Sequence, residues 1–453
     1  MRKLFFDHAL LPGGWAEKVT VTLTDGGVIE SVATGAPCES RASSAGAIAI
    51  PGLANLHSHA FQRAMAGLAE YRQPGENSFW SWRDLMYRFV ARLTPDEVEA
   101  VAAQLYVEML EAGFTAVGEF HYLHHQPDGT PYADPAEMLG RLAAAARAAG
   151  IGFTALPVLY AHSDFGGRPP RPEQRRFVTD IDGYLRLVDA SQKHLAGLPG
   201  ARLGIAPHSL RAVTPDMLQA VLAARPGVPV HIHIAEQMRE VKDCLAWCGQ
   251  RPVAWLLDHH ALDARWCLVH ATHMTAAESA ALAASKAVAG LCPITEANLG
   301  DGIFAGAAYM AASGAWGIGS DSHVRVDAAE ELRLLEYTQR LAEGGRNILG
   351  ADRLSTGRCL LAAALRGGAQ ALGRPAGALA PGHWGDIVVL DEAHPALIAR
   401  QGDGWCDGWI FSGDKACVRD VWVAGRQVVS QGRHPRREAI RAAFGKALHA
   451  LLG

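Results

Sequence analysis

Residues 53–62, LANLHSHAFQ, end an apolar run in two histidines two positions apart. In an extended strand, residues i and i+2 project from one face, so His57 and His59 stand side by side at the strand's carboxyl end. Two such imidazoles begin a divalent metal site, which needs further nitrogen or oxygen ligands from elsewhere in the chain. HIHIAEQ (231–237) offers His233, and GSDSH (319–323) offers Asp321. Three neutral imidazoles and one carboxylate suit a borderline ion such as zinc and leave room for a water that ionises near neutral pH and becomes a nucleophile. Asp321 could both ligate the ion and accept the water's proton.

Glu236, three residues beyond His233, could carry that proton to a departing nitrogen, which is general acid–base work. His270, closing WCLVH, could polarise a substrate or hydrogen-bond the water. A loop salt bridge for Glu236 and a buried hydrogen bond for His270 are their competing structural uses. His231 shares a strand face with His233, and spacing does not choose between them. The one nearer the carboxyl end is expected at the ion, leaving His231 for support or barrel packing.

Positioning these groups requires many strand ends. Short apolar runs at 53–57, 115–119, 152–159, 203–207, 229–233, 266–271, 287–292 and 315–320 alternate with helical stretches such as 96–112. The pattern predicts an α/β fold, a (β/α)8 TIM-type barrel whose active site lies at the carboxyl ends of its strands. His57/His59, Glu119/His121, His208, His233/Glu236, His270 and Asp321 all fall there. Period-two runs at 18–33, 385–391 and 418–429 make both ends of the chain strand-rich. One small β-sandwich domain is therefore expected from residues 1–50 and 380–453, with a closing helix near 436–452, around a catalytic barrel at 51–379.

Composition narrows the class further. The 453 residues are 49% hydrophobic and 19% charged, with a net charge of -4, so no basic surface for nucleic acid is expected. No apolar stretch reaches the roughly 20 residues of a membrane span. Asp7 and His8 break the first apolar run before it could form a secretory core, and a cytoplasmic location is expected. The eight cysteines are scattered, unlike a disulfide framework; Cys244 and Cys248 lack the second ligand pair of a structural zinc site.

HSH after strand one, HIHIAE after strand five, VHATH after strand six and GSDSH after strand eight resemble the amidohydrolase superfamily, in its aminohydrolase (deaminase) branch, over essentially the whole chain. The resemblance implies one metal ion on His57, His59, His233 and Asp321, with Glu236, His270 and Asp321 as catalytic residues. Binuclear relatives bridge two ions with a lysine from strand three or four; none of the seven lysines here falls on those strands. One divalent ion, zinc, is expected.

HSHAFQRAMAGLAEYR (57–72), SFWSWRDLMYRF (78–89), EFHYLHH (119–125) and APHSLRAV (206–213) are similar to the formimidoylglutamate deiminase group of that branch. This implies hydrolysis of N-formimino-L-glutamate to N-formyl-L-glutamate and ammonia in histidine degradation. Such a dicarboxylate amidine calls for planar arginine forks. Arg211 with His208 could hold one carboxylate, Arg83 with Tyr122 the other, and Gln62 the α-carboxylate region. Arg83 could instead stack on Trp80, Trp82 or Tyr87. Residues 60–95 form a long insertion after strand one, expected as a lid. A deaminase of a purine, pterin or triazine ring would share the metal site but favour stacking over paired arginines. Another formimino or guanidino diacid is the nearer alternative, and a non-catalytic scaffold should have lost some of these ligands. Aromatic-rich insertions and the size of the barrel are compatible with a homodimer.

Overall fold

The computed structural model describes residues 1–38, 43–72 and 79–453, the side chains of 79–81 excepted. The first four strands are Arg2–Leu11 (β1), Gly14–Leu23 (β2), Ile29–Ala33 (β3) and Ser43–Pro51 (β4). Nine strands of a parallel barrel follow: Leu53–Ser58 (β5), Phe114–His121 (β6), Gly152–Leu159 (β7), Arg202–Leu203 (β8), Ala206–Pro207 (β9), Val230–Ile234 (β10), Trp266–His270 (β11), Val288–Leu291 (β12) and Ala315–Ile318 (β13). Ile387–Leu390 (β14), Val418–Val423 (β15) and Arg426–Val429 (β16) complete the strands among the described residues.

The expected fourth barrel strand is present as two short pieces, β8 and β9, both paired with β7. Pro207 has no N–H to extend the ladder. Neighbouring strands run parallel in the order β5-β6-β7-β8 and β10-β11-β12-β13. Single bridges at Ile205–Val230, Ser209–His233 and Ser58–Asp321 join these arcs and close the barrel. Inside, Leu56, Ala116, Cys267, Val269 and Val288 fill the floor, and Leu372 seals it from below. His231 belongs to this packing, its Nε2 2.8 Å from the Ala371 carbonyl.

The two termini meet in one sheet, ordered β16-β15-β14-β4-β1-β2-β3. Phe6 on β1 and Trp422 on β15 are three strands apart, which would be about 14 Å on a flat sheet. Their rings are nevertheless 6.2 Å apart, and Gly27, in the β2–β3 turn, lies against the Ala424 carbonyl of the β15–β16 turn. The sheet therefore curls over an apolar core of its own that includes Leu4, Val21, Ile387 and Val389.

The helix Pro95–Glu111 starts where local chemistry dictates: Thr94 caps the Glu97 N–H, Glu97 caps Thr94 in return, and Pro95 occupies the first turn. The closing helix spans Arg437–Leu452. The insertion after β5 contains a 3-10 turn, Ala60–Met65, and a helix, Phe79–Val90; residues 73–78 of this expected lid lie outside the described residues. All eight cysteines are free thiols. No described helix is long and apolar enough to cross a membrane.

Candidate active site

Strand β5 brings His57 and His59 to the barrel mouth, β10 brings His233, and the turn after β13 brings Asp321. The Nε2 atoms of His57 and His59 are 3.1 Å apart, those of His57 and His233 3.1 Å, and those of His59 and His233 3.3 Å. Asp321 Oδ1 lies 3.4 Å from His57 Nε2 and 3.3 Å from His59 Nε2. Donor atoms around a zinc ion with bonds of about 2.0–2.1 Å are separated by about 2.9–3.5 Å. The tautomers agree with that geometry. His59 Nδ1–H donates to the Phe120 carbonyl at 2.8 Å and His233 Nδ1–H to the His208 carbonyl at 3.1 Å. Their Nε2 lone pairs must then face one another, an arrangement that a cation satisfies and a proton network does not. Burial pulls the His57 and His233 pKa values well below the ordinary range and that of His59 to about 3, with neighbouring imidazoles adding to the effect. The donors are thus neutral.

The backbone bends sharply at these strand ends. Ala235 (φ 51°), His270 (φ 68°) and Asp321 (φ 46°) are all left-handed, a conformation that non-glycine residues adopt at some cost and that clusters at functional sites. Gly319 lets the last strand pass His57: a Cβ there would meet the His57 carbonyl oxygen at 2.8 Å and its Cβ at 2.9 Å.

Glu236 and His270 face each other beside the histidine–aspartate cluster. Glu236 Oε1 lies 3.7 Å from His270 Nε2, and burial, opposed by His270 and aided by Asp321, pushes the Glu236 carboxyl up to about 7. Burial alone would lower His270, but Glu236, the Glu296 contact at 3.2 Å and Asp321 together raise it to about 10.

A cavity of about 60 Å³ opens over this cluster and is lined by Gln62, Arg83, Tyr122, His208 and Arg211 as well as His59, His233, Glu236, His270 and Asp321. Every expected site residue except His57, which lies beneath, reaches it. Gln62 Nε2 donates to the Tyr122 hydroxyl at 2.8 Å. His208 Nδ1 lies 3.1 Å from Ser209 Oγ. The Arg83 guanidinium is 5.6 Å from the Tyr87 ring centroid, so it both stacks and faces the cavity; the Trp80 side chain lies outside the described residues. Burial depresses the Arg83 pKa, Tyr87 opposes this, and the Arg211 charge adds to it. Two cations sharing one cavity call for an anion between them.

Several neighbours were not among the expected site residues. Glu119 accepts from Ser58 Oγ at 2.6 Å, the Ala60 N–H at 2.7 Å and Tyr106 at 3.0 Å, bracing the segment around His59. Glu296 orients His270, and Tyr160, Trp82, Met86, Tyr87, Phe177 and Leu299 complete the lining. Two signals pointed to some of them: the expected strands 152–159 and 287–292 had no assigned polar end, and Tyr160 and Glu296 lie just beyond those ends.

The amidohydrolase family model matches residues 48–428, and the model described as "Formimidoylglutamate deiminase HutF, N-terminal domain" matches residues 1–41. A formimidoylglutamate deiminase of Pseudomonas aeruginosa is 53% identical over 454 residues, with 100% of both chains covered. An 8-oxoguanine deaminase of the same organism is 32% identical, covering 82% of each chain. The crystal structure of an amidohydrolase from Brucella melitensis is similar with a TM-score of 0.96 at 53% identity, covering 100% of both chains. The chain belongs to the amidohydrolase family, in the group of the formimidoylglutamate deiminases.

Proposed function

We propose that this chain hydrolyses N-formimino-L-glutamate to N-formyl-L-glutamate and ammonia, the deimination step of histidine degradation. One observation carries the reading from the geometry: a single cavity is lined both by the metal-ligand cluster and by two arginines, Arg83 and Arg211. The full-length 53% identity to a formimidoylglutamate deiminase supports the same substrate.

The family is metal-dependent, and one zinc ion is the occupant that the His57, His59, His233 and Asp321 donors favour. When bound, such an ion lowers the pKa of water and supplies a nucleophile at neutral pH. Asp321 takes the proton of the attacking water. Glu236, with a pKa raised to about 7, delivers one proton to the imino nitrogen, and the proton held on Asp321 supplies the second, so that the nitrogen leaves as ammonia while the new hydroxyl returns its proton to Glu236 and becomes the formyl carbonyl. The His270 imidazolium, held by Glu296, steadies the negative charge that develops as the formimino carbon becomes tetrahedral. Arg211 and His208 engage one substrate carboxylate, Arg83 and Tyr122 the other, and Gln62 serves the α-carboxylate region through the Tyr122 hydroxyl that it orients.

Ammonia release is measured with N-formimino-L-glutamate, N-formimino-L-aspartate and guanine on protein of known metal content. Turnover of the glutamate compound alone is expected. A ring deaminase is the second reading, favoured by the 8-oxoguanine deaminase likeness and the aromatic lining; turnover of guanine alone would replace the first reading with it. Glu236→Gln is expected to lower kcat by about 100- to 10,000-fold while metal content stays at the wild-type level. An active variant would remove the assigned role.

A further inference from the structure

Glu240 lies on the helix Met238–Cys248, four residues beyond Glu236, and is 1% exposed. Its two oxygens face two different parts of the site. Oε1 accepts the Ala235 N–H at 3.1 Å, and Ala235 is the left-handed residue whose turn delivers Glu236 to the cavity. Oε2 faces Arg211 Nε at 3.9 Å. That separation exceeds a hydrogen bond, and both atoms are buried without a hydrogen-bond partner. Charge, not a directional bond, joins the pair, which leaves the terminal nitrogens of Arg211 for a ligand.

We propose that Glu240 is a positioning residue linking the two ends of the site: it holds Arg211 as a preformed fork for a substrate carboxylate and fixes the turn that aims Glu236. The proposal rests on the deiminase reading above. A buried guanidinium needs a counter-charge. Burial would lower the Arg211 pKa, but Glu240 first and Glu236 second raise it. With Glu240 neutralised, Glu236 becomes the nearest strong counter-charge. Arg211 would turn toward it, which withdraws the fork from substrate and draws the general acid into an ion pair.

The test is a double-mutant cycle on metal-loaded protein with Glu240→Gln, Arg211→Gln and the double variant. It reads turnover of N-formimino-L-glutamate and, by calorimetry, binding of N-formyl-L-glutamate. Glu240→Gln keeps an oxygen for Ala235 and removes only the charge. Its kcat/KM is expected to fall by at least about tenfold, with a raised KM matched by weaker N-formyl-L-glutamate binding and a lower kcat from the ion-paired Glu236. In the Arg211→Gln background the same change should have no further effect. Glu240→Ala also removes the Ala235 acceptor and should lower kcat by about a further tenfold. Equal losses in both backgrounds, or an unchanged KM in Glu240→Gln, would overturn the proposal. If thermal melting reports Glu240→Gln as unfolded, the cycle is run with Glu240→Asp. That variant keeps the charge and is expected to hold KM within about threefold of wild type; a KM that rises as in Arg211→Gln would also overturn the proposal. Wild-type protein that neither turns over the formimino compound nor binds N-formyl-L-glutamate overturns the deiminase reading and this inference together, whereas an active wild type with additive losses overturns this inference alone.

Discussion

The two ends of the cavity are held by opposite means. At the metal-ligand end, the side chains project from barrel strand ends, and main-chain carbonyls lock the imidazoles: His59 onto Phe120 and His233 onto His208. At the side proposed for the substrate carboxylates, Arg83 comes from the helix Phe79–Val90 and Arg211 from the turn after β9. Ring contact at 5.6 Å and charge at 3.9 Å position those two. Coordination fails with small displacements, so the rigid scaffold carries it. The proposed carboxylate recognition would tolerate more movement, and its residues sit on segments that can vary without disturbing the barrel.

The difference implies different responses to substitution. His233→Ala should release the ion and cost at least about a thousandfold in turnover, roughly 4 kcal/mol, for any substrate offered. Metal analysis beside the assay checks this, and full activity without the ion would break the comparison at its firmer end. The same rigid end also has a pH signature in stability. Burial lowers His121 to about 4, although its bond to the Leu123 carbonyl works the other way. A folded pKa below the unfolded value of about 6.5 means that the unfolded chain binds more protons between those limits. Stability is then complete above about pH 6.5 and falls as pH drops toward 4, with about 2 kcal/mol lost to this one group by pH 5. In urea titrations of metal-free protein at pH 7.5 and pH 5, His121→Gln should lose about 2 kcal/mol less than wild type between the two conditions. Equal losses would show that His121 does not carry this dependence.

The same contrast explains what could be read in advance. His57, His59, His233 and Asp321 follow strand periodicity, because two-residue alternation and a strand's carboxyl end are local properties of sequence. The barrel was legible for the same reason. Arg83 and Arg211 have no periodicity of their own and were found through resemblance. Glu240 and Glu296 reach from short helices to Arg211 and His270 on other segments, contacts that no local spacing encodes; Glu240 is recognisable only once the turn at Ala235 is known. The parallel pairing of β1 with β4 and the curl that brings Phe6 to Trp422 are long-range as well. Period-two runs identified strand-rich termini but not their order in the sheet.

At the carboxylate end the expected effects are smaller and selective. Arg83→Lys replaces a planar fork by a point charge, and KM for the dicarboxylate should rise about ten- to a hundredfold, or 1.4–2.7 kcal/mol, with kcat nearly unchanged. A proportionate fall in kcat would mean that the two ends are not separable.

The smallest change expected is at Gln62, where the direction of one hydrogen bond decides the outcome. Gln62 Nε2 donates to the Tyr122 hydroxyl oxygen at 2.8 Å. Because that oxygen already accepts, the hydroxyl's own hydrogen is free to point at a carboxylate in the cavity. Gln62→Leu removes the donor and lets the hydroxyl rotate, so KM should rise by about three- to tenfold, near the 1 kcal/mol of one neutral hydrogen bond, while kcat and metal content stay at wild-type levels. Tyr122→Phe should give a rise at least as large, and adding Gln62→Leu to it should change little, since the amide acts through the hydroxyl it orients. Independent losses from the two substitutions would assign Gln62 its own contact with substrate, through the Oε1 that is buried without a partner.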